Sequence, residues 1–294
     1  MKGVLFYRPG DIRFEEVPTP SPGPGEILVR IGSALTCGTD LKTYRRGHPV
    51  IMKQTPALFG HEWAGTVAVI GEGVEAFQIG DRVVGANSAP CHRCFPCLLG
   101  RVNLCEDLEF LNGAYAEYIR VPARIVRENL LPLPPHLSFA QAALVEPLAC
   151  AIHGIERSGA TLGQTLCIFG AGPMGLLLSL LGKLKGCRVI LIGKGKLRLK
   201  KGEELGADVV LDAAKGSEVL AETRRLTPGD RGADVTIEAT GRPEVWEQAV
   251  EVTRKAGTVV LFGGCEPGTT FRVDTRRMHY EELTLLGVFH HTPR

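Results

Sequence analysis

Apolar runs alternate regularly with amphipathic stretches over the second half of the chain. Each apolar run has the length of a buried strand, and each amphipathic stretch has the 3.6-residue period of a helix. The predicted strands are TLCIFG, CRVILIG, DVVLD, DVTIEAT, TVVLFGG and LTLLGVF, separated largely by the predicted helices PMGLLLSLLGKLKG, KLRLKKGEELG, SEVLAETRRLT and PEVWEQAVEVTRKAG. This order predicts an α/β domain with a doubly wound parallel sheet.

The first half of the chain instead carries short alternating runs separated by Gly and Asp turns. The predicted strands lie in GEILVRIGSAL, GHEWAGTVAVIGEGV, IGDRVVGA and AYAEYIRVP. Many short strands of this kind predict a β-barrel-like domain. The rhythm changes near residue 140, where SFAQAALVEPLACAIHGIERSG has a helical period and Ser138 is a candidate N-cap. We therefore expect two domains, residues 1–148 and residues 149–294.

Composition and charge narrow the function classes. Hydrophobic residues make up 44% of the 294-residue chain, enough for packed cores, and the formal net charge is only +2. Near-neutral charge without a long basic run argues against a nucleic-acid surface. The longest apolar run, Leu176–Leu181, is too short to cross a bilayer, and Arg8 and Pro9 interrupt the N-terminal apolar run. We expect a cytoplasmic protein without nucleic-acid or membrane partners.

Four cysteines fall in the stretch CHRCFPCLLGRVNLC, with the spacing C-x2-C-x2-C-x7-C. A metal site, a disulfide cluster and a redox device are the alternatives. The expected reducing compartment argues against disulfides, and four bunched thiolates leave no separate pair to cycle. The spacing therefore favours a closed, four-coordinate structural zinc on Cys91, Cys94, Cys97 and Cys105.

A Gly-rich turn follows the first predicted strand of the second half. The sequence FGAGPMG places Gly170, Gly172 and Gly175 in a G-x-G-x-x-G pattern, with Pro173 and Met174 opening a helix. The glycines allow a tight turn, a close approach of the backbone to a pyrophosphate and close packing of helix on strand. The helix N-terminus would then bind the phosphate oxygens. The alternative is a Gly-rich turn without a ligand, which the further strands disfavour.

The end of the second strand of this sheet bears on the choice of dinucleotide. NAD-preferring sites place Asp or Glu there to bind the ribose 2′-hydroxyl. This chain has Gly193, followed by Lys194, Lys196 and Arg198. A missing carboxylate removes repulsion against a 2′-phosphate, and the cations would attract one, so we predict that NADP(H) is favoured over NAD(H). The alternative is that these cations form a solvated helix face.

The first half also contains side chains that suit a catalytic zinc. Such a site takes about three protein ligands of N, S and O type and keeps one position open. Cys37, His61 and Glu62 supply one of each, and Glu146 is a candidate fourth ligand or water-mediated partner. Adjacent His and Glu residues are common by chance, so spacing alone leaves this assignment open.

The ordered pattern CGTD…GHE(x)AG…GDRV…C-x2-C-x2-C-x7-C…EP…GAGPMG resembles that of the zinc-dependent medium-chain dehydrogenases/reductases. The nearest branch looks like the sorbitol (polyol) and threonine dehydrogenases. The resemblance implies a GroES-like β-barrel catalytic domain fused to a Rossmann domain, with the active site in the cleft between them. It also implies two zinc ions per chain: a catalytic one on Cys37, His61 and Glu62 with Glu146 nearby, and a structural one on the four-cysteine stretch.

The same resemblance implies an activity. In such enzymes zinc acts as a Lewis acid on a secondary alcohol (a polyol, sugar or amino-acid alcohol), and hydride passes between the alcohol carbon and NAD(P). Thr39 matches the hydroxyl that begins the proton relay of the family, and a turn-capping role after Gly38 is its alternative. We expect a small-molecule alcohol or ketone as substrate and a homodimer or homotetramer.

The chain departs from the family at its end. It stops at GVFHHTPR, where members of the family continue with a segment that returns to the catalytic domain. We expect a C-terminally truncated member, whose activity without that segment stays open. The other candidate functions are a zinc-free quinone-type reductase of the same superfamily, a zinc-dependent nucleic-acid binder and a non-catalytic dinucleotide-binding or interaction protein. The zinc-ligand pattern argues against the first, and the net charge argues against the second.

Overall fold

The computed structural model describes residues 1–48, 52–216 and 218–293. The chain divides into two compact units. The first contains Met1–Ala149 together with Thr292 and Pro293, and the second contains Cys150–His291. None of the helices in the described part of the chain combines the length and apolar character needed to cross a membrane.

The first unit is built from antiparallel sheets. Its strands are β1 (Lys2–Arg8), β2 (Asp11–Glu16), β3 (Ile27–Leu35), β4 (Ala57–Leu58), β5 (Glu62–Ile70), β6 (Arg82–Gly85), β7 (Ser88–Ala89), β8 (Glu109–Phe110), β9 (Tyr118–Val121) and β10 (Leu130–Pro132). The largest sheet has the order β10-β6-β5-β3-β9, a second has the order β2-β1-β4, and β7 pairs with β8. The helices are α1 (Gly38–Arg46), α2 (Phe95–Leu98), α3 (Ala123–Asn129), α4 (Phe139–Ala142) and the first turn of α5 (Val145–Ser158).

Alternating apolar positions build the core of the first unit. Ile27 and Val29 of β3 are fully buried, and they share one cluster with Trp63 and Val67 of β5 and Ile119 of β9. Burying a large apolar side chain of this kind contributes about 1.5–3 kcal/mol. The period-2 pattern of the sequence therefore decides which face of each strand points inward.

The second unit contains one parallel sheet. Its strands are β11 (Thr165–Phe169), β12 (Arg188–Gly193), β13 (Val209–Asp212), β14 (Ala233–Glu238), β15 (Thr253–Leu261) and β16 (Thr284–Gly287), connected through the remainder of α5 and through α6 (Pro173–Leu184), α7 (Lys196–Glu204), α8 (Glu218–Arg225), α9 (Pro243–Val252) and α10 (Thr275–Tyr280). All neighbours are parallel in the order β13-β12-β11-β14-β15-β16. The strand order therefore reverses between β11 and β14. Each of the predicted strands of this half matches one strand of the sheet.

Both faces of this sheet are covered. Ile168 of β11 packs in one cluster with Leu178 of α6, whereas its neighbour Phe169 packs in another with Val250 of α9. Strands buried on both sides appear in a sequence as continuous apolar runs, which is the pattern that predicted them.

One helix of the second unit is shorter than the sequence predicts. The helix predicted over PEVWEQAVEVTRKAG ends at Val252, and the residues from Thr253 belong to β15. Thr253 pairs with Ala233 of β14, and the register then shifts before Val235, with Ala256 at a φ of 53°. Tertiary pairing thus overrides the helix propensity of Arg-Lys-Ala. Ser217, at the start of the predicted helix SEVLAETRRLT, lies outside the described residues.

The helical stretch near residue 140 forms two helices, α4 and α5, rather than one. Ser138 is the N-cap of α4, as predicted. Its hydroxyl accepts the N–H of Gln141 at 3.2 Å, and the Gln141 side chain accepts the Ser138 N–H at 2.9 Å. This reciprocal pair is a capping box, which fixes where the helix begins.

Candidate metal centres and dinucleotide site

Strand pairing assembles the first candidate metal centre. β3 and β5 are antiparallel, and Leu35 at the end of β3 lies opposite Glu62 at the start of β5. Cys37 follows Leu35 by two positions, and His61 directly precedes Glu62. One ligand atom from each of Cys37, His61 and Glu62 lies within 4.8 Å of the other two. The structure therefore brings together the three residues that the sequence suggested as zinc ligands.

Local backbone structure fixes the positions of Cys37 and His61. Cys37 is the N-cap of α1, and its Sγ accepts a hydrogen bond from the Thr39 N–H at 3.4 Å. Gly60, before His61, has a φ of 87°, and a Cβ on it would lie 2.7 Å from the ring of Tyr115. A glycine is therefore required where this ring meets the backbone. Thr39 is half-buried in the first turn of α1, and the capping side chain is Cys37.

Asp40 is a buried carboxylate whose role the sequence pattern did not predict. Its Oδ1 lies 3.0 Å from Nδ1 of His61, and its Oδ2 accepts the Cys37 N–H at 2.9 Å and the Tyr115 hydroxyl at 2.7 Å. Because an ionised carboxylate only accepts, His61 carries a proton on Nδ1 and can present Nε2 as a ligand. The capping-box spacing from Cys37 to Asp40 was a usable signal, but Tyr115 is 75 residues away and gave none.

Buried charges around the trio act on one another. Burial raises the pKa of the Glu62 carboxyl, and Glu146 adds to this, bringing it to about 7. Burial acts to lower the pKa of His61, but hydrogen bonds with Asp40 and Cys37 outweigh it and raise that pKa well above its ordinary value. A divalent cation would neutralise these crowded acidic groups, and one sulfur, one nitrogen and one oxygen donor suit zinc. The donor set therefore fits a zinc ion.

Glu146 lies beside the trio rather than within it. It is only 5% exposed, in the first turn of α5. Its charge acts on Glu62, but among the described residues its carboxylate does not join the set of donor atoms formed by Cys37, His61 and Glu62. Glu146 therefore acts on the trio through its charge on Glu62.

The second candidate metal centre is a lobe between β7 and β8. The Sγ atoms of Cys91, Cys94, Cys97 and Cys105 all lie within 4.8 Å of one another, and those of Cys94 and Cys105 are 3.7 Å apart. In a tetrahedral site with Zn–S distances of about 2.3 Å, neighbouring sulfurs are about 3.8 Å apart. The spacing of these thiols therefore fits a zinc ion whose four coordination positions are all taken by protein sulfur atoms.

Hydrogen bonds and burial act differently on the four thiols of the lobe. The N–H groups of Cys91 and Glu106 donate to the Sγ atoms of Cys105 and Cys94, at 3.2 Å and 3.4 Å. Backbone hydrogen bonds lower the pKa of Cys91 to about 6, whereas burial and the neighbouring thiols raise the pKa of Cys97 to about 12. Ionising all four thiols so close together requires a cation, so metal binding here would release protons.

The Gly-rich turn of the second unit has the geometry of a phosphate cradle. Gly170 has a φ of 114°, and a Cβ on Gly175 would lie 1.6 Å from the Gly170 carbonyl oxygen, so helix α6 packs directly on the turn. Apart from its neighbours in the chain, no atom of the described residues lies within 4 Å of the place where a Cβ of Gly172 would be. Pro173 and Met174 open α6, and among the described residues no side chain caps its N-terminus. Its first N–H groups can therefore bind phosphate oxygens.

The residues predicted to select the dinucleotide lie at the end of β12. Gly193 is buried, and a Cβ there would lie 2.3 Å from the Cβ of Ala171 in the Gly-rich turn. Lys194, Lys196 and Arg198 are exposed at the start of α7. The end of β12 thus carries Gly193 in place of an acidic residue, and exposed cations follow it.

Two family models match the chain. The model of the alcohol dehydrogenase GroES-like domain matches residues 23–134, and the model of the zinc-binding dehydrogenases matches residues 173–294. The chain belongs to the zinc-type alcohol dehydrogenase family. Human sorbitol dehydrogenase is 34% identical over 297 residues, covering 97% of this chain and 80% of that protein. The (R,R)-butanediol dehydrogenase of Bacillus subtilis is 35% identical over 303 residues, covering 98% of this chain and 84% of that protein.

Solved structures agree with this assignment. A protein of the zinc-binding dehydrogenase type from Sinorhizobium meliloti 1021, bound to NADP, is 33% identical, with a TM-score of 0.90 over 99% of this chain and 84% of that chain. The predicted fold of this dehydrogenase, a GroES-like domain with a Rossmann-type domain, is confirmed. The predicted enzyme class and the resemblance to sorbitol dehydrogenase are confirmed as well, and relatives of this kind support a small-molecule alcohol as substrate.

Exchanging Asp40 for asparagine should weaken metal retention by this dehydrogenase. Asparagine cannot accept from His61, Cys37 and Tyr115 at once, because its amide nitrogen would oppose at least one of their donors. Loss of such a supporting carboxylate typically costs 10- to 100-fold in metal affinity or activity. We expect a loss of that size for Asp40→Asn, measured by zinc competition with a chromogenic chelator and by kcat.

A matched exchange in a turn of the same unit is the control. Asp81 also accepts a backbone hydrogen bond, from the Gln78 N–H at 2.7 Å, and in the described part of the chain none of its hydrogen bonds involves the trio. Asp81→Asn should leave zinc retention and kcat unchanged. Equal behaviour of the two variants would contradict the role given to Asp40.

Proposed function

We propose that this protein transfers hydride between a secondary alcohol and NADP, using a zinc ion held by Cys37, His61 and Glu62. The observation that carries the proposal is the sulfur, nitrogen and oxygen trio within 4.8 Å, with Asp40 fixing the histidine. When bound, the zinc ion supplies Lewis acidity that lowers the pKa of the substrate hydroxyl. Names of relatives support polyols and vicinal diols as the substrate class.

The residues of the chain have separate tasks in this proposal. The Cys37 thiolate and the Glu62 carboxylate would supply negative charge to the cation, and His61 would bind it through Nε2. Asp40 holds the proton on Nδ1 of His61 and thereby its ring orientation. Thr39 would relay the proton that leaves the substrate hydroxyl: its Oγ1 accepts that proton while its own hydroxyl proton passes on to solvent water. Its position two residues after Cys37 supports this role. Glu146 acts on the centre through its charge on Glu62.

The four-cysteine lobe has a structural task in the proposal. Cys91, Cys94, Cys97 and Cys105 would enclose a second zinc completely, which leaves no coordination position for a substrate. Such a metal stabilises its loop and takes no part in hydride transfer. The proposed stoichiometry is therefore two zinc ions per chain.

NADP(H) is the proposed dinucleotide. The Gly-rich turn supports binding of a pyrophosphate, and the end of β12 supports a 2′-phosphate because Gly193 carries no acid and three cations follow. Solved relatives hold either dinucleotide, one NADP and another NADH, so the proposed preference rests on the cations. Salt screens the attraction between a phosphate and exposed cations. The ratio of the affinities for NADPH and NADH should therefore fall at high ionic strength.

An alcohol panel tests the proposal. Polyols, vicinal diols, L-threonine and simple secondary alcohols are assayed with NADP⁺ and with NAD⁺, beside metal analysis of the purified chain. We expect two zinc ions, turnover of at least one secondary alcohol, and a kcat/KM at least tenfold higher with NADP⁺. One zinc without turnover would favour the dinucleotide-binding alternative, and turnover of a quinone without zinc would favour the zinc-free reductase.

Two lysine variants sharpen the cofactor assignment. Lys194→Ala should weaken NADPH binding and leave NADH binding unchanged, because only NADPH carries the 2′-phosphate. Lys200→Ala is the control, since Lys200 is also exposed, on α7, but lies further along the chain from the end of β12. If both variants bind NADPH like the wild type, these lysines belong to a solvated helix face, as in the alternative interpretation.

A further inference from the structure

Glu238 is a completely buried carboxylate that the proposed chemistry does not use. It is the last residue of β14, and its relative exposure is 0%. Phe169 of β11 lies opposite it in the register, directly before the Gly-rich turn. Glu238 therefore lies at the point where the strand order of the parallel sheet reverses. Open sheets of this type bind ligands in the crevice at the carboxyl ends of those two strands.

The carboxylate of Glu238 accepts hydrogen bonds from one loop and one helix. Its Oε1 accepts the N–H of Thr240 at 2.6 Å, the Thr240 hydroxyl, and the N–H of Gly241 at 3.1 Å. Its Oε2 accepts the indole N–H of Trp246 at 2.8 Å and is also 3.1 Å from the Gly241 N–H. All of these partners are donors, so a group that only accepts is required here.

The loop that Glu238 holds, Ala239–Gly241, packs against the Gly-rich turn. The Ala239 N–H donates to the Phe169 carbonyl oxygen at 2.8 Å. A Cβ on Gly170 would lie 3.0 Å from Cγ2 of Thr240. The position of this loop is therefore coupled to the position of the first glycine of the phosphate cradle.

The backbone of Glu238 connects the next strand end to the same place. Its carbonyl oxygen accepts the N–H groups of Phe262 and Gly263, at 3.0 Å and 2.8 Å. A Cβ on Gly263 would lie 2.8 Å from Oε2 of Glu238. One residue thus ties together the segments that follow β11, β14 and β15, which are the segments that border the crevice.

Stability alone does not account for a carboxylate in this position. Burial raises the pKa of Glu238 despite the hydrogen bonds from Thr240, Gly241 and Trp246. An acid whose pKa is higher in the folded state destabilises that state when it is ionised. Apolar side chains of similar size often stabilise a core more than buried charge does. The carboxylate instead fixes the orientation of the loop that follows β14.

We propose that Glu238 is a positioning residue for the nicotinamide dinucleotide. By accepting the donors of Thr240, Gly241 and Trp246, it holds the Ala239–Gly241 loop as the wall of the crevice that faces the Gly-rich turn. The dinucleotide meets this wall and not Glu238 itself. The inference rests on the proposed dinucleotide site and adds the residue that sets its shape.

A double-mutant cycle with Trp246 tests the inference. In Glu238→Gln the amide nitrogen would face the indole N–H or the loop N–H groups, and two donors repel. We expect the Kd for NADPH, measured by titration calorimetry on the full chain, to rise at least tenfold, which is about 1.4 kcal/mol. The KM for NADP⁺ should rise in parallel, and kcat at saturating cofactor should fall by less than threefold.

Removing the indole donor should relieve the conflict. Trp246→Phe keeps the ring that packs edge-on against Phe271 at 5.1 Å, so this variant should fold even if Glu238→Gln does not. Trp246→Phe alone should weaken NADPH binding by about threefold, since it removes one of the donors that orient the carboxylate. In the double variant the glutamine no longer faces the indole N–H. The double variant should therefore bind NADPH no more weakly than Glu238→Gln does, so the two losses of affinity are not additive.

Thr236→Val supplies the control for general destabilisation. Thr236 is on the same strand and is fully buried, and its Oγ1 accepts the Thr253 hydroxyl at 2.8 Å in the middle of the sheet. This variant should lower the thermal unfolding midpoint without changing the Kd for NADPH. An unchanged Kd in both Glu238→Gln and Trp246→Phe, additive losses, or an equal loss of affinity in Thr236→Val would overturn the inference. A wild-type chain that binds neither NADPH nor NADH would instead overturn the proposed function itself.

Discussion

His61→Ala should reduce the zinc content from two ions to one and lower kcat by about a thousandfold. His61 supplies the nitrogen donor of the trio and is 4% exposed. Alanine removes this donor and leaves the buried Asp40 carboxylate without its partner. Lewis acid catalysis by a metal is worth several kcal/mol, and each 1.36 kcal/mol is a tenfold change in rate. Metal analysis and steady-state kinetics with the best alcohol of the panel measure both effects.

Binding of the dinucleotide is the internal control for this variant. His61 belongs to the first unit and the Gly-rich turn to the second, so NADPH should bind His61→Ala as it binds the wild type. His136→Ala is the matched control, because His136 is exposed on the first unit. Full activity in His61→Ala, or an equal loss in His136→Ala, would refute the assignment of the catalytic metal.

Cys105→Ser should also remove one zinc ion, but with a different consequence. Cys105 is 8% exposed, and its Sγ accepts the Cys91 N–H and lies 3.7 Å from Sγ of Cys94. Loss of a structural metal is among the few single changes that cost more than about 4 kcal/mol. For a chain of this size that corresponds to a drop of roughly 10 °C in the unfolding midpoint. Scanning calorimetry beside metal analysis tests it.

The catalytic zinc should remain in Cys105→Ser, and so should measurable turnover at a temperature where the variant is folded. Cys187→Ser is the control for the loss of a buried thiol, since Cys187 is 2% exposed in the second unit. That variant should keep both zinc ions. A Cys105→Ser chain with two zinc ions and an unchanged midpoint would contradict the structural role of the lobe.

The parallel sheet could be predicted because burial on both faces leaves a strong local pattern. Apolar runs such as CIF and VILI are short and end at a glycine, which favours a buried strand over a helix, and each became a strand. The strand assignment of Thr253–Gly257 could not be predicted, because Arg254, Lys255 and Ala256 favour a helix locally. It depends on the pairing of Thr253 with Ala233 of β14. The boundaries of elements are therefore less predictable from the sequence than the elements themselves.

The candidate ligands could be predicted, whereas the residues that support them could not. Cys37, His61 and Glu62 are residue types that bind zinc, so the sequence alone indicates them as candidate ligands. Asp40 acts through the ring of His61, which is 21 residues away in the chain. Glu238 acts through the N–H donors of Thr240 and Trp246. Carboxylates are common in any sequence, and only burial and hydrogen-bond partners distinguish these two.

Each unit carries one of the two tryptophans of the chain, and each stands beside a carboxylate discussed above. Trp63 follows Glu62, is 0% exposed, and its Nε1 has no hydrogen-bond partner among the described residues. Trp246 is half-buried and donates to Glu238. An indole in a dry core emits at shorter wavelength than one that is hydrogen-bonded and partly solvated. The protein therefore contains two built-in optical reporters, one for the metal-bearing unit and one for the dinucleotide unit, and single Trp→Phe exchanges would separate their signals.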